Sequence, residues 1–590
     1  MIARLRMALV VAGALALAGR AEAASAPAVE GENGMVVSSQ ALASRVGADI
    51  LAAGGNAVDA AVAVAFAEAV VNPCCGNLGG GGFLLLHMAD GRSRFVNFRE
   101  KAPGAASRDM YLDPAGNVVK NATLRGWKAA GVPGTVLGLT TALARYGALP
   151  LAQVMAPAVA LARDGFVLTR GDTDILETGT AKFAADPAIA RIFLRPDGTP
   201  FRPGDRLVQA DLARTLEAVA RSGADAFYGG DIPRAVAAAS GQGGGLLTAA
   251  DFTAYTVTDD APLACTYRGA AILSAPPPSS GGTTLCEMLT ILDGYDIAGA
   301  GFNSARGVHL MVEAMRRAYA DRNAFLGDPA FVENPVARLI SPDYARTLRA
   351  GIDPDRATPS ATIRPDPAFL MPREKPETTH ISVLDKAGNA ASLTYTINGY
   401  FGAGVIAPGT GFFLNNEMDD FTVKVGVPNL FGLVQGTANA IAPGKRPLSS
   451  MAPTMVLRGG RPVMVVGSPG GSRIITINAQ VIVNMLDFRM QPQAAVDAPR
   501  IHHQWLPDTV YAEPFALSAD TLAVLKGMGH AVTVQVPWGA QELIAVRGAA
   551  PGGPGAESSG NDASRTEGMR PGILYGANDN RRPAGAAVGE

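Results

Sequence analysis

Thr378–Asn398 reads TTHISVLDKAGNAASLTYTIN. Two strand-like runs, His380–Leu384 and Ala390–Asn398, flank the turn residues Asp385-Lys386-Ala387-Gly388-Asn389, which predicts a β-hairpin. The residues before it differ in kind. Pro354–Pro376 holds six prolines (354, 359, 365, 367, 372 and 376) among charges, the composition of an exposed, cleavable linker. A cut between Glu377 and Thr378 would put a hydroxyl nucleophile and a free α-amine on one residue. An α-amine titrates near ~7.7–8.0, so it suits general-base work at neutral pH. Activation of a threonine by its own terminal amine is an established nucleophile design. Most Thr-Thr pairs are ordinary strand residues; the position at the join of linker and strand singles out Thr378.

Toward the C-terminus the pattern stays β-rich. Thr454–Leu457 and Pro462–Val466 flank Arg458-Gly459-Gly460-Arg461, another hairpin, and helices are expected at Ile475–Leu486 and Ala519–Met528. Gly548–Gly572 is rich in Gly, Ser and Pro and reads as a solvated loop or insertion. Toward the N-terminus, Met35–Ser38 predicts a short strand, with Ser39 as N-cap of a helix to about Ala53 and a second helix over Ala57–Val71. Gly76–Gly82, GNLGGGG, then leads into a hairpin that ends at Arg99. Gly131–Leu348 predicts a mostly helical region, with apolar stripes at Val136–Tyr146, Leu151–Arg163 and Val308–Leu326. Pro276–Gly282, PPPSSGG, is a stiff-then-flexible loop within it. The alternation of helices and strands predicts the α/β (α+β) class.

The whole chain has 590 residues, 48% of them apolar and 17% charged, with a net charge of −2. This excludes a disordered protein and leaves no basic footprint for nucleic acid. Met1–Ala23 has a positive start (Arg4, Arg6), an apolar core and an A-x-A end at Ala21-Glu22-Ala23, the pattern of a cleaved signal peptide. Arg20 interrupts the apolar stretch before the ~18–20 residues a membrane span needs. A periplasmic or secreted protein without a membrane anchor after signal cleavage is expected. Four cysteines (Cys74, Cys75, Cys265, Cys286) lack zinc spacing and read as small buried residues, with room for a bridge and their disulfide state left open. Cys74 and Cys75, as neighbours, pair only with strain. Among the six histidines, His502-His503 on a strand face opposite ways, so no metal site is expected.

Two glycine motifs invite rival readings. GNLGGGG lacks the Lys-Ser/Thr of a phosphate-binding loop and opens a strand, so a backbone-crowding role is expected. Ser468, in GSPGG, is followed by Pro469, which has no N–H to offer an esterase oxyanion. Gly470 and Gly471 remain as a pair of unobstructed backbone donors.

The hairpin, with LNNEMDDF (Leu414–Phe421), KRPLSSMAPT (Lys445–Thr454) and GSPGGSRI (Gly467–Ile474), closely resembles the γ-glutamyltransferases, which are N-terminal-nucleophile hydrolases. NFREKAP (Asn97–Pro103), GVPGTVLGL (Gly131–Leu139), PPPSSGG and APRIHHQWLPD (Ala498–Asp508) extend the resemblance over roughly Met35 to Glu542, and it resumes at GILYGANDNRRP (Gly572–Pro583). The resemblance implies a four-layer αββα sandwich built jointly by a large subunit, residues 24–377, and a small subunit, 378–590, cut from one precursor. It implies Thr378 as processing residue and nucleophile, Thr396 as its partner, and Gly470 and Gly471 as the oxyanion pair. Arg99, Ser449 and Ser450 match the positions that hold a substrate α-carboxylate, and Asn398, Glu417 and Asp420 those that receive its α-ammonium. Phe431, in the lid segment Gly426–Gly432, stands where many members carry Tyr, which leaves ring packing without the phenol's hydrogen bond and favours hydrolysis. The implied activity is transfer of a γ-glutamyl group from glutathione or related amides to water, amino acids or peptides, without metal or organic cofactor. Two rivals share the sequence features: a cephalosporin (glutaryl) acylase on the same fold, and an uncleaved periplasmic binding protein for γ-glutamyl compounds.

Overall fold

The computed structural model describes residues 25–363, 378–547 and 569–590. The expected signal peptide, much of the Pro-rich linker with Glu377, and most of the expected insertion at 548–572 lie outside them. Two seven-stranded antiparallel sheets form the centre. The first runs, in spatial order, Ala586–Gly589, Gly34–Ser38, Thr379–Asp385, Ala390–Thr396, Gly81–His87, Ser93–Asn97 and Thr258–Asp260. The second runs Val29–Gly31, Leu574–Asn578, Glu542–Val546, Arg461–Gly467, Thr454–Arg458, Ala270–Ser274 and Leu263–Tyr267. The predicted hairpin is thus the middle of the first sheet, with Thr379 opposite Tyr395 and His380 opposite Thr394.

Strand alternation makes the layers. Met35, Val37, Leu85 and Leu384 from the first sheet pack with Met455, Val465 and Ile544 from the second, forming the inter-sheet core. Their neighbours face outward: Val36, Leu84 and Val383 meet the helices Ala41–Ala52 and Ala57–Val71. On the far side, Val456, Met464 and Leu543 meet the helices Gly281–Leu292, Ala305–Phe325 and Ile474–Leu486. The result is the expected αββα order. Residues on both sides of position 378 supply strands to each sheet.

Two expectations are corrected, and the disulfide state is resolved. The first helix begins at Ala41 with Gln40 as N-cap, because the Ser39 hydroxyl is turned to the buried Glu542 carboxylate at 3.1 Å. The region read as mostly helical contains the strands Thr258–Asp260 and Leu263–Tyr267, an edge of each sheet, and Ala270–Ser274 beside the latter. The last two are joined by Arg268-Gly269, both at positive φ, a hairpin turn hidden because Arg rather than Asn or Asp opens it. All four cysteines are paired: Cys265 with Cys286, tying a strand to the following helix, and Cys74 with its neighbour Cys75.

Candidate active site

Thr378 immediately precedes its strand and is nearly buried. It opens on a pocket lined by Arg99, Thr396, Asn398, Glu417, Asp420, Phe431, Ser449, Ser450 and Gly471, with Met451 and Ile474. Nine of the ten residues expected at the site therefore surround one cavity. The tenth, Gly470, is not among the lining residues; it precedes Gly471 in the chain, at the entry to the helix Ile474–Leu486.

The Thr378 hydroxyl donates to Thr396 Oγ1 at 3.3 Å, and that oxygen also accepts the Asn398 N–H at 2.8 Å. Two threonines at the facing ends of the hairpin strands are thereby linked across the sheet. The GNLGGGG run explains how strands approach so closely here. A Cβ on Gly80 would sit 1.9 Å from the Thr396 carbonyl oxygen, and one on Gly82 2.4 Å from that of Thr394. This is the expected crowding role. Gly470 and Gly471 have φ of 140° and 57°, conformations that favour glycine. Neither N–H has a protein acceptor among the described residues. Ser468 donates instead to the Pro469 carbonyl at 2.6 Å and accepts from Ala540 N–H, a structural role.

The other end of the pocket is ionic. Arg99, fully buried, pairs with Glu417 and Asp420 through separate guanidinium nitrogens and lies 3.4 Å from Glu100. The sequence motifs assign these groups to opposite ends of a zwitterion; the fold places them in direct contact. Burial pushes the Glu417 carboxyl well above its ordinary range against the pull of Arg99, and raises Glu100 to about 7. Burial opposes the charge on Arg99, but Glu417, Glu100 and Asp420 together hold its pKa above the ordinary value. Two oxygens in this wall, Asn398 Oδ1 and Glu417 Oε2, are buried with no hydrogen-bond donor among the described residues. Two hydroxyls complete it: Ser449 Oγ accepts the Met451 N–H at 3.1 Å, and Ser450 Oγ accepts from Arg322 at 3.0 Å. Neither hydroxyl donates to a protein acceptor among the described residues. Phe431 is held over the pocket by its chain: its carbonyl accepts from Gln504 at 3.1 Å, and the neighbouring Leu430 N–H donates to Asp419 at 2.8 Å.

Sequence reasoning missed two groups. Arg322 has no motif of its own and reaches the site only through its contacts. His309, Glu313 and His530 have potential ligand atoms within 4.8 Å of one another, although the two histidines are 221 positions apart. His309 Nδ1 meets His530 Nε2 at 2.9 Å, while Glu313 pairs with Arg316 and Arg317. Two guanidiniums beside the carboxylate oppose a dication there; His309 bonds to His530 and to the Asp353 carbonyl, while Glu313 is held by Arg317 and the Thr358 N–H.

A family model described as Gamma-glutamyltranspeptidase matches residues 43–587. The chain belongs to that family. It is 51% identical over 567 residues to the glutathione hydrolase proenzyme of Pseudomonas sp. strain A14, covering 96% of each chain. It is 43% identical over 508 residues to the acylase ACY 1 proenzyme of Pseudomonas sp. strain SE83, covering 85% of this chain and 88% of that one. Among solved structures, the cephalosporin acylase of Bacillus halodurans superposes with a TM-score of 0.81 at 26% identity, over 97% of this chain and 98% of that one. The chain is thus similar to proteins that carry either kind of name, glutathione hydrolase or acylase.

Proposed function

We propose that this chain is a self-processing γ-glutamyltransferase and glutathione hydrolase with Thr378 as its nucleophile. In the first stage Thr378 Oγ attacks the Glu377 carbonyl carbon, the Glu377–Thr378 C–N bond breaks, and the acyl group passes from nitrogen to oxygen. Water then cleaves the ester, which frees the Thr378 hydroxyl beside the amine already released by the acyl shift and leaves fragments 24–377 and 378–590. In the second stage the amine takes the hydroxyl proton as Oγ attacks the γ-carbonyl of a γ-glutamyl amide. The N–H groups of Gly470 and Gly471 would hold the developing oxyanion, each worth about 2.7–4 kcal/mol by analogy with other oxyanion donors. Collapse expels the amine with that proton. Water or an amino acid or peptide acceptor then takes the glutamyl group from the ester. No step calls on a metal or organic cofactor, and residues 1–23 direct the chain to the periplasm or outside.

The observation that carries the substrate class is the pair of orphaned buried acceptors, Asn398 Oδ1 and Glu417 Oε2. An unmet buried acceptor is costly, and an ammonium brings three donors. A γ-glutamyl head offers that ammonium; a glutaryl head offers none and would leave both oxygens unmet beside three carboxyls. This favours γ-glutamyl over the glutaryl acylase reading. The test is kcat/KM of the purified protein for γ-glutamyl and glutaryl anilides. A preference of tenfold or more for γ-glutamyl is expected; a glutaryl preference would move the chain to the acylases. Retention of γ-glutamyl ligands without turnover would make it a binding protein.

A further inference from the structure

PPPSSGG and Arg322 have no part in the chemistry above, yet they meet directly behind the serine wall. Arg322 lies on the helix Ala305–Phe325, is 1% exposed, and has no carboxylate within ion-pair distance among the described residues. Burial lowers its pKa to about 10, with Tyr319 and Asp420 opposing, so it stays cationic at neutral pH. Its guanidinium is used in every direction. Nε donates to Ser280 Oγ at 2.9 Å, and the other nitrogens donate to Ser450 Oγ at 3.0 Å, Asn323 Oδ1 at 2.8 Å and Gln435 Oε1 at 3.2 Å.

Each partner leads to the pocket. Ser280 uses both its N–H and its hydroxyl to hold the Ser449 carbonyl, at 2.8 and 2.6 Å. Ser279 holds the Met451 carbonyl, and Pro278 accepts the Ser449 N–H at 3.0 Å. Gln435 donates to the Asp420 carbonyl at 3.1 Å. One buried cation thus fixes the two-serine segment and the backbone of an acid facing it. The polarity matters as much as the position. Ser450 Oγ accepts from Arg322 and Ser449 Oγ from the Met451 N–H, so each serine keeps its own proton to donate.

We propose that Arg322, with the Ser279-Ser280 turn, is the positioning device for recognition of the substrate's α-carboxylate, aiming the two serine protons at it and placing a positive charge behind them. This rests on the γ-glutamyl reading of the pocket. A lysine at 322 keeps the charge but loses the fork that serves Ser280 and Ser450 together.

The experiment compares kcat/KM of the wild type, Arg322→Lys and Ser280→Ala on three anilides: γ-glutamyl, glutaryl (carboxylate, no ammonium) and 4-aminobutanoyl (ammonium, no carboxylate). Self-cleavage into two fragments and the melting temperature report folding. For Arg322→Lys the loss on the two carboxylate-bearing anilides is expected to exceed that on 4-aminobutanoyl by roughly tenfold or more, chiefly in KM, as for hydrogen bonds to a charged group. Ser280→Ala should show the same pattern more weakly. An equal loss on all three substrates overturns the proposal, because a general disturbance of the pocket does not sense the carboxylate. If Arg322→Lys fails to fold or cut itself, the pattern of losses in Ser280→Ala decides by itself. A wild type that prefers the 4-aminobutanoyl anilide would instead overturn the γ-glutamyl reading, and the proposal with it.

Discussion

At one end of the pocket Arg99, Glu100, Glu417 and Asp420 pack four ionisable side chains into a space where none is more than 7% exposed. At the other, the Thr378 and Thr396 side chains and the Gly470-Gly471 backbone bring hydroxyls and N–H groups without formal charge, with the proposed Thr378 amine serving in its neutral form as the base. The charged end bears a large desolvation cost that only close mutual pairing offsets. Such a wall is built for discrimination, since a ligand lacking the complementary charges leaves it uncompensated. The uncharged end has no need of that until the reaction creates charge, and fixed dipoles then act at full strength in a dry site. The proposed recognition and the proposed chemistry thus differ in the kind of interaction used.

Substitutions at the two ends should differ in size and in the constant they change. The largest effect is expected at the uncharged end: Thr378→Ala should lose about 10⁴-fold or more in turnover of a γ-glutamyl anilide, as for removal of other covalent nucleophiles. Residual turnover within tenfold of wild type would place the nucleophile elsewhere. At the charged end, Arg99→Lys retains charge but not the fork that serves Glu417 and Asp420, and a broken buried pair costs about 3–5 kcal/mol. Initial-rate kinetics should show roughly a hundredfold loss, mainly in KM; a loss confined to kcat would remove the division between the ends.

The acids predict a pH dependence with a definite sign. Glu100 titrates at about 7 and Glu417 is also raised, both by burial, so acid keeps these carboxyls protonated. As pH rises through about 7 the pair gives up a proton and adds negative charge beside the substrate ammonium, so KM should fall. Glu100→Gln should flatten that fall; an unchanged KM–pH profile in the variant would show that Glu100 does not set it. The smallest effect is expected at the lid. Phe431→Tyr restores a hydroxyl over the pocket, and one hydrogen bond of about 0.5–1.5 kcal/mol should lower the hydrolysis-to-transfer ratio several-fold. Equal ratios in the two proteins would show that ring packing alone sets lid closure.

Much of the first sheet was legible because its signals are local. The hairpin around Asp385–Asn389 and the helix Ala57–Val71 follow from turn residues and apolar runs, and the Asn56 capping box agrees. The strands between 258 and 274 were not legible: they are short, lie at or next to sheet edges, and the last two turn through Arg268-Gly269. The site residues were found through motifs, each of which names a residue but not its neighbours. Nothing local says that Arg99 grips Glu417 and Asp420, more than 300 positions away, or that Arg322 reaches Ser280 and Ser450, 42 and 128 positions away. Those pairings arise only once the two sheets are stacked, which is why the ionic wall and its support emerge from the fold.

The most direct test of the central claim is the mass of the purified protein under denaturing conditions, beside Thr378→Ala. Two fragments are expected from the wild type, the smaller beginning at Thr378, and one uncut chain from the variant. A wild type that remains a single chain would deny Thr378 the free amine on which the proposed chemistry depends, and would contradict it outright.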